Sequence, residues 1–334
     1  MSFIRKYAVV LILMIFVVSS VAYLFSKGKS EQRTLRWAHV YEVNTPYHKQ
    51  ALQAARAFEE KTNGRYRILV FPASTLGKEA GLNEAIQLGA VDMIYTGATL
   101  ASADYPPLVI SDYPYTIESY QHWKAYRNSE LFDELVEGYK AETGNTIIAP
   151  VYYGFRHVTS NKPILSPEDM VGLKIRVPNS PAFLLMPKAV GANPSPMPFS
   201  EVYLGLQQGV VDAQENPLPT IKFKRFYEVQ TNINLTSHMS NTLLVMVSKA
   251  TRSRLSPDDY ELLTQELRLA AERASDAIFN QEEELKGWFE EQGLTINNTD
   301  REAFQRLVFE KMNETDKPFS DEQLKRLKAL VPHD

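Results

Sequence analysis

The chain has no cysteine among its 334 residues. Disulfides, thiolate catalysis, cysteine-based zinc sites and a lipidated anchor cysteine are therefore excluded. It also lacks a basic stripe. Against 40 Asp and Glu there are 36 Lys and Arg, for a formal net charge of −4, and no Lys/Arg cluster follows the N-terminus. Nucleic acid is thus not the expected partner. No P-loop, no G-x-S-x-G elbow and no G-x-G-x-x-G fingerprint occurs. The 6 histidines are scattered without the helical spacing of a zinc motif. No metal and no cofactor is expected. Carboxylates such as Glu42, Glu79, Asp112 and Glu215 are present, but nothing in the sequence pairs two of them for acid–base work.

One long apolar run exists, Tyr7 to Phe25, preceded by Arg5 and Lys6. A positive start followed by an apolar stretch is the pattern of an export signal, with Ser20-Val21-Ala22 offering small residues for cleavage. The run also just reaches bilayer length, so residues 1–26 read either as a signal peptide or as an uncleaved anchor. Both place the rest of the chain outside the inner membrane. Residues 27–34 read as a polar linker.

The length favours two domains, and 44% apolar with 23% charged residues is enough to build full cores. After the linker, strand and helix patterns alternate, which predicts a parallel α/β arrangement. Leu35–His39 reads as a strand. Thr45-Pro46 starts a helix with proline at its first position. Arg65–Phe71 and Thr146–Tyr152 are further strands. A helix opens at Ser166 with a capping box, and strands are expected near Ile233 and over Leu243–Ser248. From Ser256 a helical pattern runs to Gln292, long enough to lie across two lobes. One unit repeats. Ala85–Thr96 and Phe199–Pro217 both read as helix, glycine, Val-Asp and strand, with the second strand expected at Val210-Val211. Two copies of one unit suggest two α/β lobes facing each other. Gln214, Glu215 and Asn216 fall at the carboxyl end of the second strand, where α/β proteins bind ligands.

Two arginines stand out by position. Arg156 follows Gly154 at a strand end, and Arg176 lies in a short strand closed by Pro178. Arginine grips a carboxylate through two parallel charged hydrogen bonds and keeps its charge when partly buried. Taken alone, each also reads as a solvated strand arginine. Asn216 adds an amide that donates and accepts, or serves as a turn residue before Pro217.

Several motifs in register carry a resemblance. G-L-K-I-R-V-P-N at 172–179, G-A-N-P at 191–194 and P-F-S-E-V-Y-L-G-L-Q-Q-G-V-V-D-A-Q-E-N-P-L at 198–218 resemble the solute-binding proteins of TRAP transporters, the DctP type. F-P-A-S-T-L-G-K at 71–78 and Y-G-F-R-H-V-T-S-N-K-P-I at 153–164 fit the same family. The resemblance implies a two-lobed periplasmic-binding-protein architecture with a hinge and a long helix spanning both lobes. Lobe I is expected over 35–152 plus 242–280, and lobe II over 153–241 plus 281–330. It implies a binder and not an enzyme, acting as a monomer in the periplasm and delivering an organic acid to TRAP membrane subunits. By the same resemblance Arg176 is the main carboxylate clamp, Arg156 the second arginine, Asn216 the ligand amide and Phe199 the aromatic wall, with first-lobe contacts near Glu79 and Thr96. Gly97 stands where the sialate-binding branch has a glutamate, which counts against sialic acid. The segments around His39–His48 look most like members that bind hexuronates such as glucuronate and galacturonate, making His39 and Glu42 candidates for the sugar hydroxyls. A four-carbon dicarboxylate, a uronate-acting enzyme built on Glu42, Glu79 or Glu215, and a membrane-tethered sensor remain the alternatives.

Overall fold

A computed structural model describes residues 32–332, with Met14 alone ahead of them. Apart from Met14, the signal-like run Tyr7–Phe25 lies outside the described residues. Among the described residues, no helix is long and apolar enough to cross a membrane. The expected linker ends sooner than the sequence suggests, because Arg33 and Thr34 already pair in the first strand.

Strand β1 (Arg33–Ala38) leads to α1 (Pro46–Lys61), β2 (Tyr66–Phe71), α2 (Glu79–Gln87), β3 (Met93–Gly97) and the short α3 (Ala98–Ala101). A 3-10 turn (Pro106–Asp112) precedes α4 (Tyr120–Arg127), α5 (Glu130–Thr143) and β4 (Thr146–Ser160). Next come β5 (Lys174–Val177), α6 (Pro181–Ala189), β6 (Asn193–Pro196), α7 (Val202–Gln207), β7 (Ala213–Pro217) and α8 (Leu218–Phe223). The chain returns along β8 (Asn232–Val247) and closes with α9 (Lys249–Arg254), α10 (Pro257–Glu291), β9 (Thr295–Asn297), α11 (Arg301–Asn313) and α12 (Asp321–Lys328).

The strands form one sheet in the order β2-β1-β3-β8-β4-β7-β5-β6, with β9 beside β8. Its two halves mirror each other about the centre. The long strands β8 and β4 cross the middle antiparallel. On each flank one strand runs antiparallel to them, β3 or β7, and two parallel strands follow. Alternation of strand and helix predicts a parallel sheet, but only the flanks are parallel. The difference lies in β4 and β8, each a single strand through both halves. Their polar residues hide this in the sequence. Asn234, Thr236, His238 and Asn241 break the apolar pattern between Ile233 and Leu243, yet all are buried and hydrogen-bonded.

The repeated Val-Asp unit has a physical basis. Asp92 accepts a hydrogen bond from the Arg36 backbone N–H at 2.7 Å, and Asp212 accepts one from the Lys174 N–H at 3.3 Å. Each aspartate thereby ties its turn to the neighbouring parallel strand, β1 in one half and β5 in the other. The turns themselves use glycine in the left-handed region, with φ of 69° at both Gly89 and Gly209, where a side chain is unfavourable. The second strand starts later than expected. Val210 and Val211 both donate to Gly205 O and finish the helix, so pairing begins only at Ala213. The edge strand β6 carries Pro194 and Pro196, which weakens its signature in the sequence and is tolerated because an edge leaves N–H positions unpaired.

Helix α10 is capped by Ser256, whose side chain accepts from Asp259 N. It packs on α1 and β4 and, further along, on α8 and β9, so it touches both halves of the sheet. Where it crosses β4 the strand register shifts between Tyr152 and Gly154. Gly154 sits at φ 112°, and a Cβ there would lie 2.6 Å from Glu282 Oε1 and 2.8 Å from Pro217 Cβ. Glu282, on α10, accepts from Tyr152 Oη at 2.8 Å and from the Phe155 N–H at 3.0 Å. Burial pushes its carboxyl up to about 7, against the opposing pull of those two hydrogen bonds; Glu283 adds to the rise and Lys286 resists it.

This has a sign that can be tested. The unfolded chain releases the proton at the ordinary 4.5, the folded chain only at about 7. Between those values the folded state holds the extra proton, so stability falls as pH rises and the loss is complete above the folded value. Wild type should therefore lose stability relative to Glu282→Gln across that window. Urea midpoints of both proteins at about pH 5 and about pH 8 check this.

Candidate functional site

Between the two halves of the sheet lies a cavity of about 330 Å³. Its wall includes Arg156, Arg176, Asn216, Phe199 and Glu79 from the sequence-predicted set. It also includes Tyr41, Asp112, Tyr153, Phe183 and Asn241, which carried no sequence signal as wall residues. His39, Glu42 and Thr96 are not part of the wall.

The two arginines differ in how many donors they have left. A guanidinium carries five N–H groups. Arg156 commits four of them: Nε and Nη2 to the Glu215 carboxylate, Nη2 again to the Glu215 carbonyl, and Nη1 to Asn241 Oδ1 at 2.7 Å. Its guanidinium also lies 4.8 Å from the Phe183 ring centroid. Arg176 commits two, Nε at 2.9 Å and Nη2 at 2.6 Å, both to the Met197 carbonyl. The rest have no partner among the described residues. Arg176 is nonetheless buried, at 2% exposure. Burial pulls its pKa down to about 10 and Arg156 adds to the fall, while Glu215 resists it. Arg176 is thus a desolvated cation with free donors and no acid at bonding distance, a configuration an anion would stabilise.

Glu215 explains why Arg156 does not share this state. Burial alone would raise the Glu215 carboxyl, but Arg156 and His238 outweigh it and hold the group below the ordinary carboxylate range. His238 lies 3.3 Å from Glu215 Oε2. Asn241 continues the network by donating to Asp112 Oδ2 at 2.9 Å. Asp112 also accepts from Thr99, Ser111 and the Thr242 N–H. Burial still pushes it up to about 6.

Asn216 donates to Gln214 Oε1 at 2.6 Å, which leaves its carbonyl oxygen and one amide hydrogen uncommitted. Across the cavity Glu79 opens α2. Its Oε1 accepts from the Gly97 N–H at 2.7 Å and from Thr96 Oγ1 at 3.1 Å. Its Oε2 has no protein partner among the described residues. Burial raises the Glu79 carboxyl, and the hydrogen bonds from Gly97 and Thr96 hold the rise back. Thr96 therefore acts behind Glu79.

His39 also stands behind the wall. Its Nδ1 accepts from the Tyr41 N–H at 3.2 Å, and its Nε2 faces His48 Nδ1 at 3.2 Å. With Nδ1 accepting, Nε2 carries the hydrogen and donates to His48. Burial, followed by the nearby His48, takes His39 down to about 3, so it stays neutral while its ring stacks on Tyr41 at 5.9 Å. Glu42 is engaged by Lys224 at 2.8 Å. Among the described residues no group of three or more acidic or histidine side chains is placed to hold a metal ion.

A family model described as DctP, bacterial extracellular solute-binding protein, family 7, matches residues 37–317. A solute-binding protein of Roseobacter denitrificans is 35% identical over 86% of this chain and 89% of its own length. The sialic acid-binding periplasmic protein SiaP of Vibrio cholerae is 31% identical, over 89% of this chain and 92% of its own. Among solved structures, a TRAP periplasmic solute-binding protein from Roseobacter denitrificans with bound L-galactonate superposes with a TM-score of 0.84 at 32% identity, covering 91% of this chain and 100% of that one.

Proposed function

The chain belongs to the DctP-type bacterial extracellular solute-binding proteins, family 7, and from that premise we propose that it captures a six-carbon sugar acid in the periplasm and hands it to the membrane subunits of a TRAP transporter. TRAP solute-binding proteins bind acid sugars and other small organic acids and work with such subunits. The finer choice of substrate rests on one observation. The cavity offers one guanidinium with several free donors, Arg176, while Arg156 has a single N–H left; opposite Arg176 stands a carboxylate, Glu79, whose Oε2 is free. One ligand carboxylate fits the first. A ligand hydroxyl donating to Oε2 fits the second, whereas a second ligand carboxylate would be repelled there. A hexuronate such as galacturonate, or the related aldonate, meets both demands; a four-carbon dicarboxylate without a hydroxyl, such as succinate, meets only one, and malate meets the second only by bringing a further carboxylate beside Glu79. The neighbouring L-galactonate complex is consistent with a polyhydroxy acid.

The proposed lobes are 35–152 plus 242–280 and 153–241 plus 281–330, hinged where β4 and β8 cross. Closing them around the acid expels water and strengthens the charged hydrogen bonds. The protein acts as a monomer and returns its ligand unchanged, as its relatives are binders. Export is by the N-terminal run, and the mass of the mature protein distinguishes a cleaved signal from an anchor.

A thermal-shift panel of D-galacturonate, D-glucuronate, L-galactonate, succinate, L-malate, sialate and D-galactose tests the substrate class. A ligand at about a hundred times its dissociation constant adds about 2.7 kcal/mol of stability, a readable shift. The six-carbon sugar acids should move the melting point, and sialate and galactose should not. A shift with succinate or malate and none with sugar acids would replace this reading by the dicarboxylate one.

A further inference from the structure

Among the contacts that join the two halves of the sheet near the cavity, beside the Ser180 hydrogen bond to the Thr99 carbonyl at 3.3 Å, three link side chains at the rim. Tyr41, just after β1, meets Phe199, which precedes α7, with ring centroids 6.2 Å apart. Glu42 pairs with Lys224, the C-cap of α8, at 2.8 Å. Lys78, at the start of α2, pairs with Glu201.

We propose that the Glu42–Lys224 pair is the latch of the closed cleft and sets how fast bound acid leaves. The proposal rests on the reading of the cavity as an acid-binding cleft that opens and closes. Glu42 belongs to the loop after β1, and Lys224 to the turn after α8. The halves that carry them are joined by the central strands and by α10, away from this rim, so opening the cleft parts them. The same ammonium lies 5.1 Å from the Phe199 ring centroid. Phe199 is itself a wall residue and the partner of Tyr41. Lys224 is therefore held between an anion on one half and an aromatic face on its own half. This assigns Glu42 a role other than the sugar contact its position suggested.

Exposure separates this pair from the second one. The side chains of Lys224 and Glu42 are 14% and 30% exposed, those of Lys78 and Glu201 58% and 50%. Exposed pairs contribute little because water screens them. A pair that is half out of water loses more when one partner is removed. The Glu42–Lys224 contact should therefore dominate the rim.

The absence of cysteine makes the test clean, since two introduced thiols label without background. Gln53→Cys on α1 and Glu168→Cys on the other half are both exposed positions. Spin labels there report the distance between the halves, and stopped-flow measures release of D-galacturonate, or of L-galactonate if galacturonate does not bind. Glu42→Gln and Lys224→Met should each speed release about three- to tenfold. The double variant should be no faster than either single, because both remove one interaction. Glu201→Gln, which breaks the exposed pair at a residue outside the cavity wall, should change release by less than about twofold. The ranking of galacturonate against galactonate should stay as in wild type. Unchanged release in both single variants overturns the proposal. So does multiplication of their effects in the double, or an altered ligand ranking in Glu42→Gln alone, which would make Glu42 a ligand contact. If wild type binds neither acid, the sugar-acid reading has failed on its own account. The label distances of the ligand-free proteins then decide: longer distances in both single variants than in wild type support the latch, and identical distributions overturn it.

Discussion

Replacing Arg176 by methionine is expected to abolish acid binding at working concentrations while leaving the ligand-free protein as stable as wild type, or more so. The two effects have one cause. Arg176 is buried, donates only to the Met197 carbonyl, and is pulled down to about 10 first by burial and then by Arg156. Without ligand, its desolvation is only partly offset. With ligand, a carboxylate supplies the two charged hydrogen bonds that the guanidinium lacks. Each such bond contributes about 1.5–3 kcal/mol net. Losing the fork should therefore weaken binding about a hundred- to about twenty-thousandfold. Methionine fills much of the volume and removes the buried charge, so the melting temperature of the ligand-free variant should not fall. Arg176→Lys keeps the charge but not the planar fork and should fall between the two. Calorimetric titration with D-galacturonate, beside melting curves without it, reads both halves of the prediction. A variant that binds normally, or that binds poorly because it is unfolded, would refute the assignment.

How much of this was legible beforehand depends on whether the information is local. Helix starts were legible because caps are local: Thr45 accepts from His48 N and Ser256 from Asp259 N, whereas the box shared by Ser166 and Asp169 opens only a 3-10 turn, Pro167–Met170, and not the expected helix. The Val-Asp repeat was legible as a pattern, and the structure supplies its reason, two aspartates each fastening a turn to the adjacent strand. The sheet order was not legible, since β3 pairs with β8 and β4 with β7 across long stretches of chain. The continuity of β8 was hidden by the buried polar residues that serve the site.

The site shows the same division. Arg156, Arg176, Asn216, Phe199 and Glu79 stand in recognisable motifs and share one cavity. Phe183 and Asn241 join them only through folding, and nothing in their local sequence marks them; Tyr41 and Tyr153 lie inside the family-like segments 39–48 and 153–164, but no wall role was legible for them there. Most informative is the inequality of the arginines. Read locally both are strand arginines near a crevice, and only the family resemblance ranks Arg176 ahead of Arg156. The difference between four committed donors and two comes from Glu215, which faces Arg156 because β7 runs antiparallel beside β4, with Val158 opposite Glu215 and Arg156 opposite Pro217.

That pairing carries the second large effect. Glu215→Ala should destabilise the ligand-free protein by about 3–5 kcal/mol, the loss usual when one partner of a buried ion pair is removed. Arg156 would keep its burial, its hydrogen bond to Asn241 and its place over Phe183, but not the carboxylate that neutralises it. Arg176 would also lose Glu215, which opposes the lowering of its own pKa. Two desolvated cations would then share one cavity. Two consequences distinguish this account from simple loss of packing. Removing both charges, Glu215→Ala with Arg156→Met, should recover most of the loss, because the cost lies in the unpaired charge. An anionic ligand should also stabilise Glu215→Ala more than it stabilises wild type, since it supplies part of the missing negative charge. Urea unfolding of the three proteins, with and without D-galacturonate, measures both. If the double variant is as unstable as the single one, the carboxylate acts mainly through packing. If it recovers, the pair's role is to neutralise Arg156 inside the fold, so that Arg176 is the cation left for the ligand.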